Sequence, residues 1–301
     1  MPKENLRAYI AWAAICLIWG TTYLAIRIGV EDFPPVLFAG LRWLVAGPIL
    51  IVILKLRGYK LPEKKEIKHL AVVGILLLGF GNGLVVFAEQ WVPSGLTALL
   101  ITTVPLWIVG LESLLPTGPK LNFKIVFGVL LGLAGVTLIF GVDLSALFNT
   151  QYLTGIIGLL FGVFCWSSGT LYSKYKKVSV HPLMGAAFQM MIAGVALSLL
   201  GVALGETSAL QLTQNGVLAF LYLLVFGSFI AYGSYIYAIA NLPVSFVSTY
   251  AYVNPIIALF LGWLVLDEKL DLTILIAAVI ILTGVYTVKK GSDSRIKMRG
   301  T

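Results

Sequence analysis

A carboxylate and two amides lie inside one of the apolar segments of this chain. They are Asn82, Glu89 and Gln90, in the stretch GFGNGLVVFAEQ. On an α-helix, Asn82 and Glu89 share one face with Gly79 and Val86, at spacings of i, i+3, i+7 and i+10. Ionisable groups within membrane spans usually face the bundle interior or a watery cavity, so this face predicts a polar pathway with Glu89 as a proton-exchanging acid. Two alternatives stay open: Glu89 contacts interfacial water near its helix end, and Asn82 bonds to a neighbouring helix.

Arg42 is a second ionisable residue in an apolar segment. With the spans and the orientation predicted below, Arg42 lies in the outer half of the membrane, roughly 12 Å from Pro34 along the helix axis at 1.5 Å per residue. An ion pair between Arg42 and Glu89 would neutralise both charges, and this structural pair is the preferred prediction. The alternatives are that Arg42 binds a carboxylate of a substrate, or that its side chain extends toward the outer surface.

Polar and aromatic side chains recur at helical spacing in several other apolar segments. One stripe runs along Ser245, Ser248, Thr249 and Tyr252, at i, i+3, i+4 and i+7. A single hydroxyl often only helps helices to pack, but stripes on several helices around one centre indicate a shared cavity. The residues predicted to bind substrate there are Trp19, Tyr23, Asn82, Glu89, Gln90, Thr102, Trp166, Tyr232, Tyr235, Ser248, Thr249 and Tyr252.

Two tryptophans and two prolines lie in the middle of apolar segments. Trp19 and Trp166 are away from the interfacial belt that tryptophan prefers, so they either line a cavity or pack against a broken helix opposite. Pro105 and Pro255 each remove a backbone hydrogen bond. Paired breaks of this kind predict hinges, with static kinks as the alternative.

The elements that position these residues are apolar helices. Of the 301 residues, 59% are hydrophobic and 11% are charged, whereas about a quarter of a soluble protein is charged. Apolar runs of about 20 residues, the length that spans a bilayer, recur along the chain. We predict an all-α integral membrane protein with ten spans, at about residues 8–29, 34–54, 69–91, 94–115, 122–141, 153–174, 182–204, 216–240, 244–266 and 271–288.

The basic residues predict the orientation of the chain, because Lys and Arg favour the cytoplasmic side of short loops. With the N-terminus inside, 18 of the 21 basic residues fall in inner segments. We therefore expect a multi-pass protein of the inner or plasma membrane with both termini in the cytoplasm. The net charge of +8 then reflects topology and contact with anionic lipid headgroups, and no nucleic-acid partner is needed.

The two halves of the chain resemble each other. The stretches WGTTYLAIRIGVEDFPP and WSSGTLYSKYKKVSVHP each place a proline 16 residues after the tryptophan. The stretches VPSGLTALLITTVP and LPVSFVSTYAYVNP each place two prolines twelve residues apart. We predict two repeats, 8–141 and 153–288, which form one transport domain. Because each repeat has five helices, the second enters the membrane from the opposite side, and such inverted repeats are typical of alternating-access transporters.

Several motifs, in order, resemble the EamA family of the drug/metabolite transporter superfamily. They are IWGTTYLAIRIG, FPPVLFAGLRWLVAG, FAEQWVPSGLTALL with VPLW, and YVNPIIALFLGWLVLDEKL, and the resemblance covers about residues 8–288. It implies ten helices as two inverted five-helix repeats, commonly the export of small metabolites, and a central cavity lined mainly by helices 1, 3, 4, 6, 8 and 9. One departure is that Ile239 and Ala240 stand in the second copy where the first has Glu89 and Gln90, so any acidic chemistry is one-sided.

These observations predict a secondary transporter that exports a small amphipathic metabolite such as an amino acid, coupled to protons through Glu89. The alternative is a facilitator or exchanger for cationic drugs or other metabolites, which needs no titrating acid. Neither an enzyme nor a cofactor is expected, because both histidines lie at span ends and no catalytic or metal-binding motif occurs. Gly128, Gly132 and Gly135 form a small-residue face, suited to packing within the chain or to contact with a second copy in a homodimer.

Overall fold

The computed structural model describes residues 3–115, 122–141, 149–176 and 178–299, and within these ranges every regular element is helical. Lys120 and Lys177, two of the cations assigned to inner segments, lie outside the described residues. The helices are α1 (Lys3–Gly29), α2 (Pro35–Leu56), α3 (Lys64–Ala88), α4 (Ser94–Ser113), α5 (Phe123–Gly141), α6 (Thr150–Tyr175), α7 (Pro182–Ala203), α8 (Gln214–Asn241), α9 in two pieces (Val244–Val247 and Tyr250–Leu266) and α10 (Leu272–Arg299), with a 3-10 turn at Glu206–Ala209.

Seven of these helices are long and apolar enough to cross a membrane: α1, α2, α3, α4, α6, α7 and α8. The remaining three contain shorter apolar stretches, at Phe123–Gly132, Tyr250–Leu266 and Leu272–Val288. Large apolar side chains such as Leu17 and Leu199 are exposed on the outside of the bundle, as contact with lipid requires. The chain is therefore an all-helical membrane protein, and the number of ten spans stays a prediction.

Prolines and distant carboxylates set where several helices begin. Pro35 and Pro182 occupy the first positions of α2 and α7. A backbone N–H there would have no acceptor within the helix, so proline costs no hydrogen bond. The Glu206 carboxylate accepts a hydrogen bond from the backbone N–H of Leu37 at 2.6 Å, at the start of α2. Glu268 accepts one from the backbone N–H of Ser94 at 2.8 Å, at the start of α4. The first turns of α2 and α4 are thus capped by carboxylates from the second half, a favourable place for negative charge.

The two halves of the chain interleave. α2 packs along α7, and α5 packs along α10. α1 of the first half packs against α8 and α9 of the second. In the same way, α6 of the second half packs against α3 and α4 of the first. Glycines allow the close approaches: a methyl group at Gly194 would collide with the backbone of Leu44, and one at Gly128 with the carbonyl of Gly284. The glycine face of α5 is therefore used within the chain, and a homodimer stays a prediction.

α1 and α6 run in opposite directions. The last turn of α1 contacts the end of α3, where Arg27 donates a hydrogen bond to the backbone carbonyl of Glu89. The last turn of α6 contacts the beginning of α3, where the Tyr172 hydroxyl lies 2.6 Å from Nδ1 of His69. The two helices consequently finish at opposite ends of the bundle. We call the first the Glu89 end and the second, where α6 carries Lys174, the Lys174 end.

Candidate functional site

A narrow cavity lies at the centre of the bundle, between helices of both halves. Its volume is about 60 Å³, enough for a few water molecules and small beside the roughly 300–1,000 Å³ of most ligand pockets. The wall is shared by α1, α2, α3, α4, α6, α8 and α9. This set contains the six helices expected to surround a central cavity and adds α2, which brings a charged residue into the wall.

Four aromatic side chains form a cluster at the cavity, with Trp19, Trp166 and Tyr250 in the wall and Tyr235 directly behind them. The rings of Trp19 and Trp166 meet edge to face at 5.4 Å, and Tyr250 meets Trp19 in the same way at 5.0 Å. Nε1 of Trp166 donates a hydrogen bond of 3.1 Å to the Tyr235 hydroxyl. Aromatic pairs of this kind contribute about 0.5–1.5 kcal/mol beyond their burial. The cluster therefore offers a well-ordered apolar surface with few free polar groups.

Arg42 of α2 contributes a buried positive charge to the wall. The residue is 2% exposed, and its guanidinium lies 4.1 Å from the ring centre of Trp43. One terminal nitrogen donates to Oδ1 of Asn82, whereas Nε has no hydrogen-bond partner. The predicted ion pair between Arg42 and Glu89 is not formed, because Asn82, seven residues before Glu89, takes the guanidinium. Among the described residues, no carboxylate lies within ion-pair distance of Arg42.

Glu89 is fully buried at the C-terminal cap of α3, outside the cavity wall. Both of its carboxylate oxygens lack a hydrogen-bond partner within the described part of the chain. Arg27 lies close by, but its guanidinium donates to the backbone carbonyls of Glu89 and Gln90 instead of the carboxylate. A buried carboxylate without a partner is costly in its charged form, which makes Glu89 a candidate for proton exchange.

π-helical turns interrupt two of the helices that line the cavity. They occur at Ile75–Asn82 in α3 and at Leu223–Tyr232 in α8. A π-turn closes i→i+5 hydrogen bonds, so it rotates the residues after it around the helix axis, and such turns are frequent at functional sites. Within the first turn, a methyl group at Gly81 would lie 2.9 Å from the ring of Trp166. The absence of a side chain at Gly81 therefore lets α3 approach the aromatic cluster.

The residues of α3 in the cavity wall are Leu78, Gly81, Asn82 and Val85, at the α-helical spacings i, i+3, i+4 and i+7. The sequence pattern predicted a face through Gly79, Asn82 and Val86. That predicted face is wrong for Gly79 and Val86, because Asn82 lies at the edge of the face that lines the cavity and not at its centre.

Five of the predicted substrate-binding residues line the cavity and seven do not. Those in the wall are Trp19, Tyr23, Asn82, Trp166 and Tyr232. Those outside it are Glu89, Gln90, Thr102, Tyr235, Ser248, Thr249 and Tyr252. The hydroxyls of Thr102 and Thr249 donate to carbonyls three residues earlier, at 2.6 and 2.7 Å, and the Gln90 amide donates to the Phe87 carbonyl at 2.9 Å. The side chain of Ser245 lies outside the described residues, and substrate binding by any of these residues stays a prediction.

α4 and α9 are each interrupted by a pair of residues with hydroxyl side chains. The interruptions are Thr102–Thr103 and Ser248–Thr249. Pro105 follows the first interruption directly, at the start of the second piece of α4. Pro255 lies inside the continuous piece Tyr250–Leu266. The two prolines correspond in sequence, but they lie at different distances from the interruptions in their helices. Their role as hinges stays a prediction.

Trp43 and Tyr250 line the cavity although the sequence patterns did not point to them. Trp43 lies in the middle of its segment, the same signal that singled out Trp19 and Trp166. Tyr250 follows the interruption in α9 and lies in the wall, whereas Ser248, Thr249 and Tyr252 of the predicted stripe do not. The sequence favours a structural ion pair for Arg42, and only the three-dimensional structure shows that no carboxylate of the described residues pairs with it.

The fold and the site together define a class, that of helical membrane proteins with a central polar and aromatic cavity built from both halves of the chain. The model of the EamA-like transporter family matches the chain twice, over residues 6–141 and 153–289. The chain therefore belongs to the EamA-like transporter family.

Relatives in bacteria are named as transporters. The chain is 38% identical over 289 residues to the uncharacterized inner membrane transporter YedA of Escherichia coli K12, covering 93% of this chain and 92% of that one. It is 28% identical to the uncharacterized transporter YoaV of Bacillus subtilis 168, covering 91% and 93%. A crystal structure aligns with a TM-score of 0.69 over 95% of this chain and 98% of that one, at 22% identity, and this likeness shows the fold. Transporters are not enzymes, and the chain is a membrane transporter.

Proposed function

We propose that this protein is a secondary transporter that carries a small amphipathic metabolite across the membrane by alternating access. The observation that carries the proposal is the central cavity, which residues of both halves line and at which Trp19 and Trp166 meet. Their helices, α1 and α6, run in opposite directions and pack against matching partners, which supports a pair of inverted repeats. The resemblance to the EamA family implies export, and the positive charges favour cytoplasmic termini.

The size of the cavity fits one state of such a cycle. About 60 Å³ is too little for an amino acid, so a solute enters only after the walls move apart. The interruptions at Thr102–Thr103 and Ser248–Thr249 are places where α4 and α9 lack regular helical bonds and are free to bend. We propose that bending there, with Pro105 and Pro255 limiting the helical bonds available, opens the cavity to one side at a time.

Proton coupling is proposed for Glu89. The ionisable groups close enough to act on its carboxylate electrostatically are the Arg27 guanidinium from α1, the Glu268 carboxylate that follows α9 and the Tyr23 hydroxyl. Burying an unpaired charge costs several kcal/mol, so Glu89 is proposed to hold a proton while its end of the bundle is closed and to release it when that end opens to water. Comparing proton flux through wild type and Glu89→Gln tests this role, and proton flux that persists in the variant would contradict it.

Blocking the cavity tests the transport route. The full chain is reconstituted into liposomes, and uptake of a panel of labelled amino acids and organic cations is measured. Ile101→Trp places an indole into the cavity wall and is expected to reduce flux to that of empty liposomes. The control Ile157→Trp adds the same group to the exposed surface of α6 and is expected to retain flux. Wild-type flux in a correctly folded Ile101→Trp protein would contradict a route through this cavity.

A further inference from the structure

The charge of Arg42 has no counter-charge in the described part of the chain. Its neighbours are neutral, the amide oxygen of Asn82 and the ring of Trp43, and its Nε is unpartnered. A guanidinium keeps its charge in proteins, and a buried charge without an opposite charge is strongly unfavourable. The cavity wall therefore holds a cation whose natural partner is an anion that enters the cavity.

The second half of the chain shows that the fold does not need a charge at this place. Gln189 stands in α7 where Arg42 stands in α2, each seven residues after the proline that begins its helix. Tyr232 of α8 corresponds to Asn82 of α3, each eleven residues before a helix-starting proline. The Tyr232 hydroxyl donates to Oε1 of Gln189 at 2.6 Å. A neutral pair thus connects α7 to α8 in the way that Arg42 and Asn82 connect α2 to α3, so the guanidinium has a role beyond holding two helices together.

We infer that Arg42, oriented by Asn82, is the binding subsite for a carboxylate of the transported solute. The planar guanidinium offers paired donors that match a carboxylate, and this geometry gives the stronger class of hydrogen bond. Trp43 and Asn82 fix the guanidinium before the ligand arrives. The inference rests on the proposed transport through the same cavity and adds the chemical class of the solute.

The rest of the wall defines the remainder of the solute. Trp19, Trp166 and Tyr250 present ring surfaces to the same cavity and suit an apolar or aromatic body. A single guanidinium balances one negative charge, so it fits a monocarboxylate better than a doubly charged phosphate. The expected ligands are small monocarboxylates with an apolar side group, including zwitterionic amino acids.

Matched pairs of solutes that differ only in the carboxylate test the inference. The pairs are L-phenylalanine with L-phenylalaninamide, L-leucine with L-leucinamide, and 3-phenylpropionate with 3-phenylpropanamide, and phenyl phosphate is added as a second anion. Thermal unfolding of the detergent-purified full chain reports binding, because a ligand of the folded state raises the midpoint. We expect shifts from the carboxylates and none from the amides.

Three variants connect these shifts to the subsite. Arg42→Gln copies the second half and is expected to lower the apparent affinity for the carboxylates roughly 10- to 100-fold. Arg57→Gln removes the same charge from the exposed end of α2 and is expected to bind as wild type does. Asn82→Asp supplies a carboxylate to Arg42 from within the chain. It is expected to raise the unfolding midpoint without ligand and to abolish the shifts, a result that does not require Arg42→Gln to fold.

The outcomes separate this inference from the proposed function. Equal shifts from acids and amides, carboxylate shifts that survive in Asn82→Asp, or a response to phenyl phosphate alone would overturn the carboxylate subsite and leave transport through the cavity in place. The absence of any carboxylate shift would overturn the subsite as well. A different result would overturn the proposed function, namely solute flux into liposomes that Ile101→Trp does not reduce.

Discussion

The last turns of α1 and α6 carry cations in the same place, Arg27 and Lys174, eight residues after Trp19 and Trp166. Each cation donates to backbone carbonyls at the end of a helix in its own half, Arg27 at α3 and Lys174 at α8. The final carbonyls of a helix lack partners and carry partial negative charge, so a cation there is favourable. Because α1 and α6 run in opposite directions, the same device stabilises both ends of the bundle.

Two other polar residues of the first half are not matched in this way. Glu89 corresponds to Ile239, and the charged Arg42 corresponds to the neutral Gln189. The contacts that hold helices together are therefore shared between the halves, whereas the charges that are expected to meet solute and protons occur in the first half. The difference teaches which residues belong to the scaffold and which are candidates for transport chemistry.

Removing the helix-end cation Arg27 gives the largest expected effect on stability, and removing its counterpart Lys174 gives a smaller one. Arg27→Met is expected to lower the free energy of unfolding by about 2–3 kcal/mol, since hydrogen bonds to charged groups are the stronger ones. Lys174→Met is expected to cost about 1 kcal/mol, because Lys174 borders a cavity of about 370 Å³ in which water can replace it. Unfolding midpoints in detergent measure both.

A charge-conserving variant sharpens the same comparison. Arg27→Lys puts the second half's cation in the first half and is expected to restore most of the stability lost in Arg27→Met. If Arg27→Lys were as unstable as Arg27→Met, or if the two methionine variants ranked in the reverse order, the helix ends would not be stabilised by equivalent contacts.

Two glycines of α3 test which face of this helix meets the cavity, with effects smaller than that of Arg27→Met. Gly81→Ala is expected to destabilise by about 1–2 kcal/mol and to disturb solute binding, because its methyl group meets the ring of Trp166 at 2.9 Å. Gly79→Ala meets nothing closer than 3.7 Å and is expected to be neutral or stabilising by about 0.5 kcal/mol. The second half already has Ala231 in the place of Gly81. Thermal unfolding and solute titration of the two variants check the ranking, and a more harmful Gly79→Ala would indicate that the face through Gly79, expected from the sequence, meets the cavity.

The membrane class and the similarity of the halves could be predicted from the sequence, because both follow from residue types along the chain. Helix limits were predicted well only where the apolar segment and the helix end at about the same residue. The span expected at 182–204 is the helix Pro182–Ala203. The span expected at 271–288 continues as helix Leu272–Arg299, because its charged last part satisfies helical bonds in water and gives no hydropathy signal.

The site could be predicted only in part. Trp19 and Trp166 stood out because they are large aromatic residues in the middle of apolar segments, and both line the cavity. The partner of Arg42 could not be predicted, because which side chain of α3 it meets depends on how α2 and α3 pack in three dimensions. Tyr250 was missed because it lies beside the polar stripe through Ser248 and Tyr252 and not on it.

The central claim is that the helix contacts are common to both halves, whereas the charges that couple transport occur in the first half. Transport with and without Glu89 tests this claim most directly. In liposomes, gradient-driven accumulation and solute exchange at equal pH are compared for wild type, Glu89→Gln and the exposed control Glu31→Gln, using a solute that the wild-type protein carries. The account predicts that Glu89→Gln retains exchange but loses accumulation driven by the pH gradient, while Glu31→Gln retains both. Accumulation that persists undiminished in Glu89→Gln would contradict it.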